Sequence, residues 1–157
     1  MKAKLTLLAA ALACSITANA AITQEVKDYV NAQIAENTPM SAVFIGVNET
    51  KYGRLSDGYI TVSVSIADIK PHGSGSEIKL KVVNWMGVDL TGVEFRVAVA
   101  HRNDRNPYIL KDPVSIQTLK AGEGDFLTFR VPRKPEKFDA IGITFIGSAG
   151  ISYNLAR

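Results

Sequence analysis

A chain of 157 residues with 46% hydrophobic content can bury one real core but is too short for two ordinary domains. Its single cysteine excludes an internal disulfide. An excess of 18 basic over 15 acidic residues is too slight to mark a nucleic-acid binder.

Residues 1–20, MKAKLTLLAAALACSITANA, have the build of an export signal. Lys2 and Lys4 form a basic start, Leu5 to Ala13 an apolar run, and Ala18-Asn19-Ala20 the small residues a signal peptidase reads. The stretch is too short for a resident membrane span, and Ala21 is the expected mature start. Removing it takes away Lys2 and Lys4 and no acid, leaving 16 basic groups against 15 acidic ones. The pI near 9.0 therefore owes much to the signal, which itself argues against a nucleic-acid partner.

Cys14 opens a second route. Ala13 supplies the small residue that precedes a lipidated cysteine, while Ala11 stands where a branched apolar residue is preferred. Cleavage after Ala20 predicts a periplasmic or secreted protein with no cysteine. Lipidation of Cys14 predicts an outer-membrane anchor, and only then is membrane contact expected. Neither route leaves a free thiol for catalysis.

Residues 22–37, ITQEVKDYVNAQIAEN, carry Ile22, Val26, Tyr29 or Val30, and Ile34 at helical spacing. Thr23 is the candidate N-cap, and Asn37-Thr38-Pro39 ends the helix because proline disfavours the α conformation before it. Residues 21–40 thus read as an amphipathic helix and linker. The helix either packs on the domain or leads into it as a spacer. Self-association or partner binding through its stripe is the alternative, although two heptads are few for a coiled coil.

From Ser41 the period becomes two, and residues 41–157 read as one β domain. Ala42 to Val47 suits a first strand, Lys51 to Arg54 with Gly53 a turn, and Ser56-Asp57-Gly58 a reversal. Ile60, Val62, Val64 and Ile66 then alternate with Tyr59, Thr61, Ser63 and Ser65. After a turn at Pro71 to Gly75, Ile78, Leu80 and Val82 alternate with Glu77, Lys79 and Lys81, completing a hairpin. Val93, Phe95, Val97 and Val99 mark a third long strand, followed by the polar loop His101 to Pro107. Val114 to Leu119 forms a strand, and Ala121 to Gly124 turns the chain. Leu127, Phe129 and Val131 face inward opposite Phe126, Thr128 and Arg130. Ile141, Ile143 and Phe145 alternate after the Pro132–Pro135 stretch, and Ile151 to Leu155 closes the domain. The expected fold is mainly β: an Ig-like antiparallel sandwich of seven to eight strands behind one short N-terminal helix.

Catalytic constellations are missing from this pattern. His72 and His101 have no second ligand at metal spacing, and Asn103, Asp104 and Asn106 lack the regular oxygen spacing of a calcium loop. The glycine-rich segments join strand to strand, so they lack the helix N-terminus that cradles phosphate. No Gly-x-Ser-x-Gly elbow occurs. The reading is a protein without cofactor or metal, and not an enzyme.

Two kinds of surface residue remain as binding candidates. Arg102, Arg105 and Tyr108, with Lys111, form one basic patch, and Arg130, Arg133, Lys134 and Lys137 form another. Either could meet anionic lipid headgroups, lipopolysaccharide or an acidic partner, or simply keep an exposed loop soluble. Trp85-Met86 in the Asn84–Gly87 loop must either plug the end of the sandwich or stand exposed as a binding hot spot.

The stretch Gly58 to Val97 runs glycine, alternating strand, turn, alternating strand, asparagine, short loop, Leu-x-Gly, alternating strand. In this order, behind a signal and a polar helix, the chain resembles the YajI-type bacterial envelope lipoproteins over about residues 22–155. It is also similar to secreted Ig-like sandwiches in general. The resemblance implies a lipidated, periplasm-facing, non-enzymatic domain and brings no active residues with it. The lipid-attachment box departs from that pattern. The functional expectation is a non-catalytic interaction or structural module meeting an envelope protein or envelope component. A carrier of a small apolar or lipid ligand is the alternative.

Overall fold

A computed structural model of the chain describes residues 22–152. Residues 1–21, with the expected export signal and Cys14, lie outside the described residues, as do residues 153–157, which hold the end of the expected Ile151–Leu155 strand.

Alternating apolar side chains build the two sheets and bury one face of each. The strands are β1 (Val43–Gly46), β2 (Gly53–Ser56), β3 (Thr61–His72), β4 (Gly75–Asn84), β5 (Asp89–Ala100), β6 (Tyr108–Ile109), β7 (Val114–Leu119), β8 (Gly124–Val131), β9 (Ala140–Gly147) and β10 (Gly150–Ser152). One sheet has the order β2-β3-β4-β8, and the other β1-β9-β5-β10 with β6 and β7 also on β5. All pairings are antiparallel. The protein is an antiparallel β-sandwich.

The ten segments reduce to eight rows. β7 pairs with Leu90 to Phe95 and β6 with Ala98 and Val99, so the two form one row along β5, interrupted near Pro113. Proline cannot donate to a ladder, which explains the break. β9 and β10 form a second interrupted row on the other side of β5.

Val62, Val64, Ile78, Leu80 and Val82 from one sheet meet Val93, Phe95, Val97, Val99, Ile141 and Ile143 from the other. Phe95 and Phe145 make an edge-to-face contact at 5.9 Å. The space between the sheets is filled.

Helix α1 (Gln24–Ile34) covers the opposite face of the larger sheet. Thr23 caps it, its hydroxyl accepting from the Val26 amide at 3.4 Å. Ile22, Val26, Val30 and Ile34 are buried against Ala98, Ala100 and Ala140, so Val30 and not the exposed Tyr29 completes the stripe. Small residues let the helix come close. A Cβ on Gly142 would stand 2.9 Å from Phe44 Cε1 and 3.2 Å from Val30 Cγ1. The helix is therefore packed on the domain, and its stripe is already occupied.

Four local expectations change. The helix stops at Ile34, and the chain leaves through Asn37, whose φ of 57° is left-handed. Gly53 lies not in a turn but at the start of β2, paired with Val64. Pro71 and His72 belong to β3, so the hairpin turn is only Gly73-Ser74. Tyr108 belongs to β6 and leans on the core, leaving the loop without its aromatic. In the last three cases cross-strand pairing overrode the local signal of a glycine or proline.

Candidate functional site

Trp85 follows the last residue of β4, and its placement depends on Asn84. The Asn84 side chain is fully buried. Its Nδ2 donates to the carbonyls of Val88 and Leu119, each at 2.9 Å, and its Oδ1 accepts from the Met86 amide at 2.8 Å. The Asn84 backbone joins the Ala121–Gly124 turn, donating to Glu123 and accepting from Gly122. One asparagine thus closes this end of the sandwich with hydrogen bonds. That overturns the expectation that Trp85 plugs it.

Trp85 instead lies on the outer face of the four-stranded sheet, 62% exposed. Its Nε1 donates to Ser63 Oγ at 2.9 Å, and Ser63 itself is only 5% exposed. Tyr52, Arg54, Thr61 and Trp85 line one shallow cleft there. Tyr59 stands out at the β2–β3 turn, where Asp57 Oδ1 accepts from the amides of Tyr59 and Ile60. Those bonds, the Ile60 amide first, hold the Asp57 carboxyl below the ordinary aspartate range. Further across the sheet, Phe126 is exposed with Lys79 Nζ 4.3 Å from its ring centre. The face thus combines exposed aromatics, hydroxyls and cations. Met86 is half-buried in the loop beside it.

The basic residues gather at the other end of the strands. Arg133 reaches from the 132–137 stretch to Asp104 Oδ2 at 2.6 Å and to the Asn106 carbonyl at 2.5 Å. Both Asp104 oxygens are engaged, since Oδ1 accepts from the Asn106 amide and Oδ2 also from the His101 amide. Burial opposes ionisation of Asp104, but the His101 amide, Arg133 and the Asn106 amide outweigh it and depress its pKa. Arg133 is consequently a brace between two loops. Arg130 also has a partner, Glu77, which it shares with Lys70. Hydrogen bonds from Lys70 and then Arg130 lower the Glu77 pKa. Arg102, Arg105, Lys134 and Lys137 remain exposed at this end.

Sequence reasoning singled out Trp85 and the two basic stretches but missed Tyr52, Tyr59, Phe126 and the role of Asn84. Alternation did contain a signal. Extending the parity of Ser63 and Thr61 through the Arg54↔Ser63 pairing places Arg54 and Tyr52 on the Trp85 face.

No family model and no curated sequence matches the chain. Solved structures do. The trimeric lipoprotein SadB of Salmonella enterica superposes with a TM-score of 0.60 at 17% identity, covering 98% of this chain and 83% of that one. The uncharacterized lipoprotein YajI of Escherichia coli superposes with a TM-score of 0.50 at 12% identity, covering 85% and 77%. The fold is that of the YajI-type lipoproteins. At these identities the likeness concerns the backbone, and it bears out the resemblance carried by Gly58 to Val97. Within the YajI-like fold, the described residues contain no group of three or more His, Cys, Asp and Glu side chains placed to hold a metal ion. Among the described residues no helix is long and apolar enough to cross a membrane.

Proposed function

We propose that this protein is an exported, non-catalytic component of the bacterial envelope that binds another envelope protein or component through the Trp85 face. Export rests on the signal pattern of residues 1–20, and the bacterial lipoproteins sharing the fold support an envelope role. The observation that carries the binding site is the Trp85–Ser63 hydrogen bond. It fixes a large ring against the sheet while the residue stays 62% exposed. A preoriented indole loses little conformational freedom when a partner covers it, the character of an interface hot spot. A carrier with its ligand between the sheets is disfavoured, because side chains from both sheets already fill that space.

A photo-crosslinking amino acid in place of Tyr52, which is exposed in the same cleft, leaves Trp85 intact and, activated in living cells, tests this reading. Adduct to one envelope component, lost in Trp85→Ala, supports it. No adduct at position 52, with unaltered envelope properties in a deletion strain, overturns it.

A further inference from the structure

The described chain begins at the same end of the sandwich as the two basic loops. The Thr23 amide donates to the Arg102 carbonyl at 2.9 Å, so Ile22, the first described residue, stands next to the 101–107 loop. Arg133 ties that loop to the 132–137 stretch. Around the brace stand the exposed cations Arg102, Arg105, Lys134 and Lys137. Of the acids nearby, Asp104 is held by Arg133, and Asp139 Oδ2 accepts from the Arg102 amide while lying 3.9 Å from His101 Nδ1. Glu136 is exposed here, and Glu25 shares a cleft with Arg105. With Arg133 and Asp104 paired, these four cations face the three acids Asp139, Glu136 and Glu25, a net charge of +1 at the end where the described residues begin.

We propose that this end is turned toward a membrane and docks on anionic phospholipid headgroups. The proposal rests on the reading of an exported envelope protein, but it uses a surface separate from Trp85. Two observations meet in it: the charge complementarity of the loops and the place where the described residues begin. If Cys14 carries lipid, the nine residue steps from Cys14 to Thr23 reach at most about 30 Å, which bounds how far this end stands from the bilayer. Charge would then set the orientation, and the tether only the distance. Trp85 lies past the far end of β4, whose ten residues span about 33 Å. The same docking thus presents the aromatic face away from the bilayer.

The processed protein, isolated from envelope fractions, should sediment with phosphatidylglycerol-containing vesicles in preference to neutral phosphatidylcholine ones. A basic side chain near an anionic surface contributes about fivefold in partitioning, so K134E/K137E should reduce anionic binding at least tenfold and leave neutral binding unchanged. Both lysines are exposed and outside the brace, and a thermal melt of the variant checks its fold. If that variant misfolds, the wild type decides through salt. Anionic preference that disappears near 0.5 M salt supports the proposal, and salt-independent partitioning overturns it. Brominated acyl chains should leave Trp85 emission unquenched. Equal binding to both vesicle types, or strong Trp85 quenching, overturns the proposal. Neither result touches the crosslinking test at position 52, so the two readings fail separately.

Discussion

The indole Nε1 of Trp85 and the hydroxyl of Ser63 are hydrogen-bonded at 2.9 Å across 22 residues of sequence, joining the end of β4 to the outer face of β3. This bond orients an exposed ring and contributes little to the core. Trp85→Ala should therefore change stability by no more than about 1 kcal/mol, the usual net worth of one such bond. Ser63→Ala should leave the ring present but less fixed. Chemical denaturation measures the first, and steady-state anisotropy of the single tryptophan measures the second. A loss of several kcal/mol in Trp85→Ala would assign the ring to the core instead.

Asn84 should behave in the opposite way. Asn84→Ala leaves the Val88 and Leu119 carbonyls and the Met86 amide without their partner in a buried setting. The expected cost is about 2–4 kcal/mol, dominated by unpaired polar groups. Asn84→Asp should not rescue it, since a carboxylate would face two carbonyl oxygens. Urea denaturation of both variants checks this, and equal stability of Asn84→Asp and wild type would refute the account.

The Arg133–Asp104 brace predicts an acid-sensitive loop. The folded Asp104 pKa is depressed, so its contribution is fully present above the unfolded value of about 3.9. It is lost as pH falls through the lower folded value. Wild type and Asp104→Asn should therefore differ in stability at neutral pH and converge in strong acid. Denaturation midpoints between pH 7 and pH 2 measure the convergence. A gap that persists at the acid end would place the effect outside the carboxylate.

Gly142 should tolerate no larger side chain. Gly142→Val would push against Phe44 and Val30, at an expected cost of about 1–3 kcal/mol. The helix gives way more easily than the sheet, so amide hydrogen exchange should rise first in α1. Uniform exchange across both sheets would contradict that order.

Alternation made the sandwich legible because the two sheets bury the sides that face each other, and Val62–Val64 or Leu127–Phe129–Val131 record that directly. Ala98 and Ala100 look like an outward face in sequence, yet both are buried under the helix. Nothing local distinguishes a small residue facing solvent from one making room for a helix. Trp85 and the basic loops could be recognised as unusual residues, but the hydrogen bonds that hold Trp85 and Arg133 join positions 22 and 29 apart. Pattern reading cannot supply such pairings. It also assigned Arg133 to a free cationic patch, because charge in sequence does not reveal which guanidinium has found a carboxylate.

The loop brace has a further consequence for how this protein matures. Small exported domains often fasten such loops with sulfur, which makes folding wait on an oxidase. Here the fastening is ionic, and the one cysteine lies at position 14, ahead of the sandwich. Residues 22–152 can reach their native state in oxidising or reducing surroundings alike. Acid is the condition that loosens this join.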